Sequence, residues 1–218
     1  MIPELLEKRR SWALRALQPA LLWLTFRVPA DARPGKYTGV LTVNGGGAAA
    51  TKPVELTVYP FELAEPRDFH WGLYTDSGRW PGYSEAKVGA ELADYRAHGI
   101  TSLMMYPLFH SKVELGPDGQ PQIDASQFEK YMAIAKQAGL RPPTVLSFQA
   151  LAGVVNRLLG QNADQETWDR LYRDIALYYW RMAQERGWGE VVFHAIDEPT
   201  QGTETGRDAL HWLGVLKM

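Results

Sequence analysis

Residues 84–106, SEAKVGAELADYRAHGITSLMMY, predict a helix followed directly by a buried strand. Ser84 is of a type that accepts a hydrogen bond from the first helical turn, and Gly99 suits the left-handed conformation in which many helices end. Between them, apolar side chains recur at helical spacing at Val88, Leu92 and Tyr95. Residues 100–106 are then short and mostly apolar, which is typical of a strand in a buried parallel sheet.

The same order of elements repeats along the chain from residue 69 onward. Strands are predicted over residues 69–74, 100–106, 143–147 and 191–197. The second helix is predicted from Asp124 as its cap to Gly139 at its end, with an apolar face of Phe128, Tyr131, Met132 and Ala135. A third helix ends at Gly187 and has apolar side chains at helical spacing, namely Trp168, Leu171, Tyr172, Ile175, Tyr179 and Met182. A fourth helix begins at Thr205. Alternating strands and helices predict an α/β fold with a parallel sheet and right-handed crossovers.

This α/β pattern fits either a doubly wound sheet or a TIM-type (β/α)8 barrel. No glycine-rich phosphate loop follows any predicted strand, which disfavours a dinucleotide-binding sheet. Four strand–helix units are half of an eight-unit barrel. We therefore expect the N-terminal half of a barrel and a chain that is a fragment at both ends. Because such a fragment has open sheet edges and half a pocket, we expect the chain alone to be inactive and to self-associate.

The residues before this region predict strands without helices. The strands cover residues 23–28, 37–43 and 54–59, separated by turn residues at 29–35 and 45–47. Three short strands with glycine and proline turns are typical of part of a β-sandwich. We therefore predict two domains, a partial β-sandwich in residues 1–64 and the first four βα units of a catalytic barrel in residues 65–218.

The composition disfavours several classes of function. The 218 residues carry a net charge of −2 without a basic stripe, so nucleic acid is not an expected partner. No stretch predicts a membrane span. The N-terminal residues do not predict a signal peptide, because Glu4, Glu7 and Arg15 interrupt the required pattern. Cysteine is absent, which excludes disulfides and thiolate metal sites.

Polar and aromatic side chains follow the carboxyl ends of all four predicted strands. In a parallel α/β barrel, the loops at these ends carry the active site. The candidates for substrate binding are Tyr74, Asp76, Trp80, Tyr106 and Gln149. Trp80 and its neighbour Tyr83 either stack on a sugar ring or only cover the end of the barrel. His110 and His194 are interpreted as structural histidines, and without a histidine pair at ligand spacing we predict no metal site and no cofactor.

Asp197 and Glu198 are the strongest catalytic candidates. Strand alternation puts Asp197 on the apolar face of residues 191–197, where it would be an unpaired charge unless the strand ends there, and Pro199 favours such an end. Two crowded carboxylates favour retention of a proton by one of them, as a general acid requires. The alternative is that either acid only caps the next helix or pairs with an arginine.

The segment His194-Ala-Ile-Asp-Glu-Pro-Thr200 resembles glycoside hydrolase family 123 and its relatives. These are β-N-acetylgalactosaminidase-like proteins with a β-sandwich in front of a (β/α)8 barrel. Residues 23–30, WLTFRVPA, and 34–43, PGKYTGVLTV, resemble the last part of that sandwich. The order of sandwich, barrel and strand-four Asp-Glu-Pro covers nearly the whole chain.

The resemblance implies substrate-assisted retaining hydrolysis of an N-acetylhexosaminide. In that mechanism the substrate's own 2-acetamido oxygen attacks the anomeric carbon, an exception to the scheme with a carboxylate nucleophile. Asp197 would orient and stabilise the acetamido group, and Glu198 would protonate the leaving oxygen and later activate water. The resemblance also implies a carbohydrate as partner and an extracellular or periplasmic location.

Two other interpretations stay open at this point. Many retaining glycosidases carry an acid/base glutamate after strand four in an Asn-Glu-Pro context, with a nucleophile on a later strand; here Asp197 replaces the asparagine. A non-catalytic carbohydrate-binding relative would have kept the fold and lost the activity, although the intact acid pair argues against it.

Overall fold

A computed structural model describes residues 11, 13, 21, 23–64, 68–75, 77–160 and 162–217. The chain divides into two compact units, Met1–Pro66 and Arg67–Met218. Among the described residues, no helix is both long enough and apolar enough to cross a membrane.

The first unit contains an antiparallel hairpin of two long strands. β1 (Gly35–Gly45) and β2 (Ala48–Val58) pair along their whole length, from Gly35 opposite Val58 to Gly45 opposite Ala48. The connection is Gly46-Gly47, with φ of 59° and 80°. A two-residue turn with both central residues in this region matches the right-handed twist of the flanking strands, and glycine adopts it without a steric cost.

The strand predicted over residues 23–28 is wrong. This segment is irregular, and its large apolar side chains are exposed, with Trp23 at 71% and Phe26 at 53%. A strand is stabilised by ladder hydrogen bonds to a neighbour. Within the described residues no neighbour pairs with this segment, so its β-branched and aromatic composition does not by itself produce a strand.

The second unit is built on a four-stranded parallel sheet. β3 is Gly72–Tyr74, β4 is Ser102–Met105, β7 is Thr144–Ser147 and β8 is Val191–His194. The strand order is β3-β4-β7-β8, so parallel strands that follow one another along the chain are neighbours in the sheet. Helical crossovers of a single handedness produce this order. The four predicted strands are confirmed, although each is shorter than its apolar run.

Helices connect and follow these strands. They are α1 (Glu85–Ala97), α2 (Ser126–Gln137), α3 (Leu151–Leu159), α4 (Gln165–Glu185) and α5 (Glu204–Leu216). Ser84 caps α1 by accepting from the backbone N–H of Lys87 at 3.2 Å, as predicted. Asp124 lies one residue before the N-cap of α2 and accepts from Ser126 N–H at 3.0 Å.

The connections after β4 and β7 contain elements that were not predicted from the sequence. Residues after β4 form a small antiparallel hairpin of β5 (Lys112–Leu115) and β6 (Pro121–Asp124). The nine-residue helix α3 precedes the long helix α4, in a segment that the sequence analysis had left unassigned. The hairpin and α3 lie in the connections that follow the carboxyl ends of β4 and β7.

One face of the sheet packs against helices, and the other face is open. Leu103 and Met105 of β4 and Leu146 of β7 are at most 3% exposed and belong to the main apolar core with α2 and α4. The opposite face carries Met104, Val145 and Val192 in register across three strands, and Val192 is 43% exposed. We call Met104, Val145 and Val192 the open face.

Candidate functional site

The carboxyl ends of the four parallel strands bring the main candidates to one edge. Tyr74 is the last residue of β3, and Tyr106 follows β4 directly. Ser147 and His194 are the last residues of β7 and β8 and stand opposite each other in the register. We call this the carboxyl edge of the sheet. In parallel α/β proteins, ligands bind at such an edge.

Tyr106 interacts electrostatically with two other predicted site residues. Burial raises the pKa of its hydroxyl, and the charge of Asp197 and the neighbouring Tyr74 raise it further. Its ring stacks on Phe109 with centroids 5.3 Å apart and planes at 8°. The structure therefore brings Tyr74, Tyr106 and Asp197 together, although they come from three separate βα connections.

The loop after β8 holds both acids. β8 ends at His194, so Asp197 and Glu198 lie beyond the strand, not at the end of a strand reaching residue 197 as predicted. Asp197 is exposed over 71% of its side chain. Glu198 has a φ of 45°, which makes it the one residue other than glycine with positive φ in the described part of the chain. Strained backbone of this kind concentrates at functional sites.

The acids do not cap the following helix. Thr203 is the N-cap of α5, and its hydroxyl accepts from Gly206 N–H at 3.3 Å. Among the described residues, the polar side chain recorded beside the Asp197 carboxylate is that of His194, whose Nε2 lies 4.0 Å from Asp197 Oδ1. Neither simple structural alternative for the acid pair, a helix cap or an arginine partner, is therefore present in this part of the chain.

The remaining predicted binding residues are placed differently from one another. Gln149 is exposed in the turn between β7 and α3. Trp80 is fully buried, with its ring 5.0 Å from Tyr131 and 6.3 Å from His110 between centroids. Trp80 thus offers no ring face to a sugar in this structure. Asp76 lies outside the described residues.

His110 is a buried histidine close to the carboxyl end of β4. It is 4% exposed, and within the described residues neither ring nitrogen has a hydrogen-bond partner. Burial lowers its pKa to about 4, so the ring is neutral at physiological pH. No cluster of three potential metal ligands occurs among the residues that the structure describes.

Comparison with solved structures finds glycoside hydrolases of similar fold. A family 123 glycoside hydrolase from Clostridium perfringens, studied for glycolipid glycan hydrolysis, matches with a TM-score of 0.60 and 13% sequence identity over 86% of this chain. The two molecules share a fold. A family 39 glycoside hydrolase from Bacteroides cellulosilyticus matches with a TM-score of 0.45 and 19% identity, over 84% of this chain and 35% of that one.

The likeness is one of structure. No protein-family model matches the sequence, and no curated protein matches it. This chain spans 40% of the length of the family 123 enzyme.

The sequence did not identify His194 as a residue of the site. His194 was interpreted as a structural histidine, yet it connects Ser147 to Asp197, with Ser147 Oγ 3.2 Å from Nδ1. The available signal was the alternation that puts His194 and Glu198 on one face of the predicted strand.

Proposed function

We propose that this chain carries part of the catalytic barrel of a glycoside hydrolase that acts on N-acetylhexosaminides. The observation that carries the proposal is the loop after β8, where Asp197 and Glu198 are adjacent at the carboxyl edge and Asp197 interacts with Tyr106. The fold shared with a family 123 glycoside hydrolase supports the same class of reaction.

In the proposed reaction, the acetamido carbonyl oxygen of the substrate attacks the anomeric carbon while the bond from that carbon to the leaving oxygen breaks. Glu198 gives its proton to the leaving oxygen. Asp197 accepts a hydrogen bond from the acetamido N–H and balances the positive charge that develops on this group. Water then attacks the anomeric carbon, Glu198 takes the proton from this water, and the acetamido group is restored.

The tyrosines of the carboxyl edge supply contacts for the sugar. Tyr106, like an ordinary tyrosine, keeps its hydroxyl proton at neutral pH, and its raised pKa acts in the same direction, so the hydroxyl can donate to a substrate oxygen. Tyr74 is 70% exposed and presents an aromatic ring next to it. Gln149, exposed after β7, supplies an amide that can both donate and accept.

The four βα units correspond in this proposal to the first half of a (β/α)8 barrel. Two features support it. The outer strands of the sheet, β3 and β8, have no further pairing partner among the described residues. The open face, Met104, Val145 and Val192, is apolar and uncovered by the helices, as expected for side chains that fill a barrel interior.

Ligand binding to this chain is the first test. A thiazoline analogue of N-acetylgalactosamine imitates the cyclised acetamido intermediate, and we expect it to bind and to shift NMR signals of Tyr74 and Tyr106. Asp197→Asn should weaken binding at least tenfold. Glu190→Gln is a matched control, because Glu190 is exposed at the opposite end of the same strand. Absence of binding to the wild type, or equal loss in both variants, would contradict the proposal.

Hydrolysis separates the mechanisms, in a protein with all eight proposed βα units. Glu198→Gln should cost several orders of magnitude on substrates with poor leaving groups and much less on an activated aryl glycoside, where protonation matters little. Efficient hydrolysis of a plain galactoside without the acetamido group would favour a retaining enzyme with a nucleophile on a later strand. Binding without turnover would favour a carbohydrate-binding relative.

A further inference from the structure

Ser147, His194 and Asp197 form a continuous line of polar groups across β7, β8 and the loop after β8. Ser147 Oγ lies 3.2 Å from His194 Nδ1, and His194 Nε2 lies 4.0 Å from Asp197 Oδ1. We propose that Ser147 and His194 are positioning residues that hold the carboxylate of Asp197 for the acetamido group of the substrate. The inference rests on the role of Asp197 in the proposed function.

The chemistry of imidazole fixes the direction of this line. In a neutral ring one nitrogen donates and the other accepts. If Nδ1 carried the proton, the lone pair of Nε2 would lie toward the negative carboxylate of Asp197, which is unfavourable. A hydrogen bond donated by the Ser147 hydroxyl to Nδ1 leaves the proton on Nε2, where it is attracted to Asp197.

The backbone holds the inner two members of the line in place. Ser147 and His194 are opposite each other in the parallel register, and Phe148 N–H donates to His194 carbonyl oxygen at 2.8 Å just beyond the paired residues. Asp197 lies in the exposed loop, so its orientation depends most on a partner that is itself held in place. Similar carboxylate–histidine pairs orient functional groups in other proteins.

The line is not a nucleophilic serine triad. In such a triad the serine oxygen is exposed to substrate and the acid is buried behind the histidine. Here the order is reversed, because Ser147 is 2% exposed and the Asp197 side chain is 71% exposed. The end of the line that reaches substrate is therefore the carboxylate.

In the proposed reaction, the two carboxylate oxygens of Asp197 have different partners. Oδ1 is the oxygen nearer His194, which leaves Oδ2 to accept the acetamido N–H. An acetamido group held in this way has its carbonyl oxygen oriented for attack on the anomeric carbon. Loss of the histidine N–H would leave the carboxylate free to rotate, so fewer bound substrates would adopt the reactive geometry.

Histidine tautomers measured by long-range ¹H–¹⁵N NMR on this chain test the line without any need for turnover. The other four histidines are internal references, since the chain has five. We expect His194 to carry its proton on Nε2, with Ser147→Ala shifting the Nδ1 resonance and Asp197→Ala shifting Nε2. Glu198→Ala changes the same loop and should move His194 much less. A proton on Nδ1, no response to Ser147→Ala, or equal responses to the two loop variants would overturn the proposal.

Binding of the thiazoline analogue supplies the functional readout. His194→Gln keeps an N–H near the position of Nε2, whereas His194→Phe keeps the ring and removes the N–H. We expect about tenfold weaker binding for His194→Phe, because the N–H that faces the Asp197 carboxylate is lost, and near wild-type binding for His194→Gln. Equal loss in both variants would overturn positioning through the N–H. If the wild type does not bind the analogue, the proposed function fails, and the NMR result still decides whether the line exists.

Discussion

Tyr106 after β4 and Asp197 after β8 interact across the carboxyl edge: burial, followed by the charge of Asp197, raises the pKa of the Tyr106 hydroxyl. The two residues follow the second and fourth strands of the parallel sheet, and β7 lies between these strands. The loops after these strands therefore come close to each other at the carboxyl edge, where parallel α/β proteins bind ligands.

Asp197→Asn is expected to lower the pKa of Tyr106. Removal of the negative charge makes the phenolate less unfavourable, so the hydroxyl loses its proton at lower pH. The measurement is a pH titration of ¹³C-labelled tyrosine signals, with Tyr106 assigned by Tyr106→Phe. Glu198→Gln is the control: Glu198 is not among the groups that shift Tyr106, so this variant should leave the titration nearly unchanged. If Glu198→Gln changed the pKa of Tyr106 more than Asp197→Asn did, the acid beside Tyr106 would be Glu198, which would contradict the prediction.

The positive φ of Glu198 predicts that glycine is better tolerated than alanine at this position. A side chain in the left-handed region costs about 1 kcal/mol that glycine does not incur. Both variants remove the carboxylate, so their difference isolates the backbone. We expect Glu198→Gly to be more stable than Glu198→Ala by about 1 kcal/mol in urea unfolding, while both lose the proposed activity.

The same pair of substitutions at Glu190 is the control for strain. Glu190 is also exposed but is not among the residues with positive φ. There glycine should be the less stable variant by about 0.5–1 kcal/mol, because it loses more backbone entropy on folding. The same order of stability at both positions would show that Glu198 is not strained.

His110 predicts a loss of stability in mild acid. Its pKa is about 4 in the folded chain, below the value of about 6.5 for an unfolded histidine. Between these values the unfolded state binds a proton that the folded state does not, so stability is complete above about pH 6.5 and falls toward pH 4. The shift corresponds to about 3 kcal/mol at most.

His110→Phe should reduce this pH dependence, because phenylalanine fills the space beside Trp80 and Tyr131 without a titrating group. The measurement is the free energy of urea unfolding between pH 4 and pH 7.5. His70→Gln is the control at an exposed histidine and should retain the wild-type slope. If His110→Phe and the wild type lose stability in parallel, protonation of His110 does not contribute.

Helical spacing and capping residues predicted much of the second unit from sequence. Ser84 and the apolar residues of α1 act locally, so their pattern determines the helix. The strand over residues 23–28 failed because a strand depends on a neighbour that a local pattern does not specify. The β5–β6 hairpin was missed because its strands, KVEL and PQID, lack the apolar run that marks the buried parallel strands.

The sequence predicted where the candidate residues lie in the sheet better than it predicted which side chains they contact. Period-two alternation and parallel topology put Tyr74, Tyr106 and the acids at one edge, and the structure brings three of these residues together. Trp80 illustrates the limit: its ring is covered by His110 and Tyr131, and only tertiary packing decides whether an aromatic side chain is core or surface. The left-handed backbone conformation of Glu198 was also not predictable, because glutamate is not a residue type that favours positive φ.

Self-association through the sheet is expected to respond to charge on β8. Val192 is 43% exposed on an outer strand, and such strands pair with other chains unless a charge blocks them. Val192→Lys should shift sedimentation toward monomer. Leu210→Lys on α5 is the control, since Leu210 is 76% exposed but lies on a helix. A greater effect of Leu210→Lys would locate the contact on α5.

Met104 and Met105 provide a matched test of the two faces of the sheet. They are adjacent on β4, but Met105 is fully buried under the helices and lines a cavity of about 200 Å³, whereas Met104 lies on the half-buried open face. Met105→Ala should destabilise the chain by about 2–5 kcal/mol, the range for buried large-to-alanine changes, and Met104→Ala by clearly less. The free energy of urea unfolding measures both. In a protein with the complete barrel, the open face becomes interior, so the cost of Met104→Ala should rise toward that of Met105→Ala. An unchanged, small cost there would contradict the assignment of Met104 to a barrel interior.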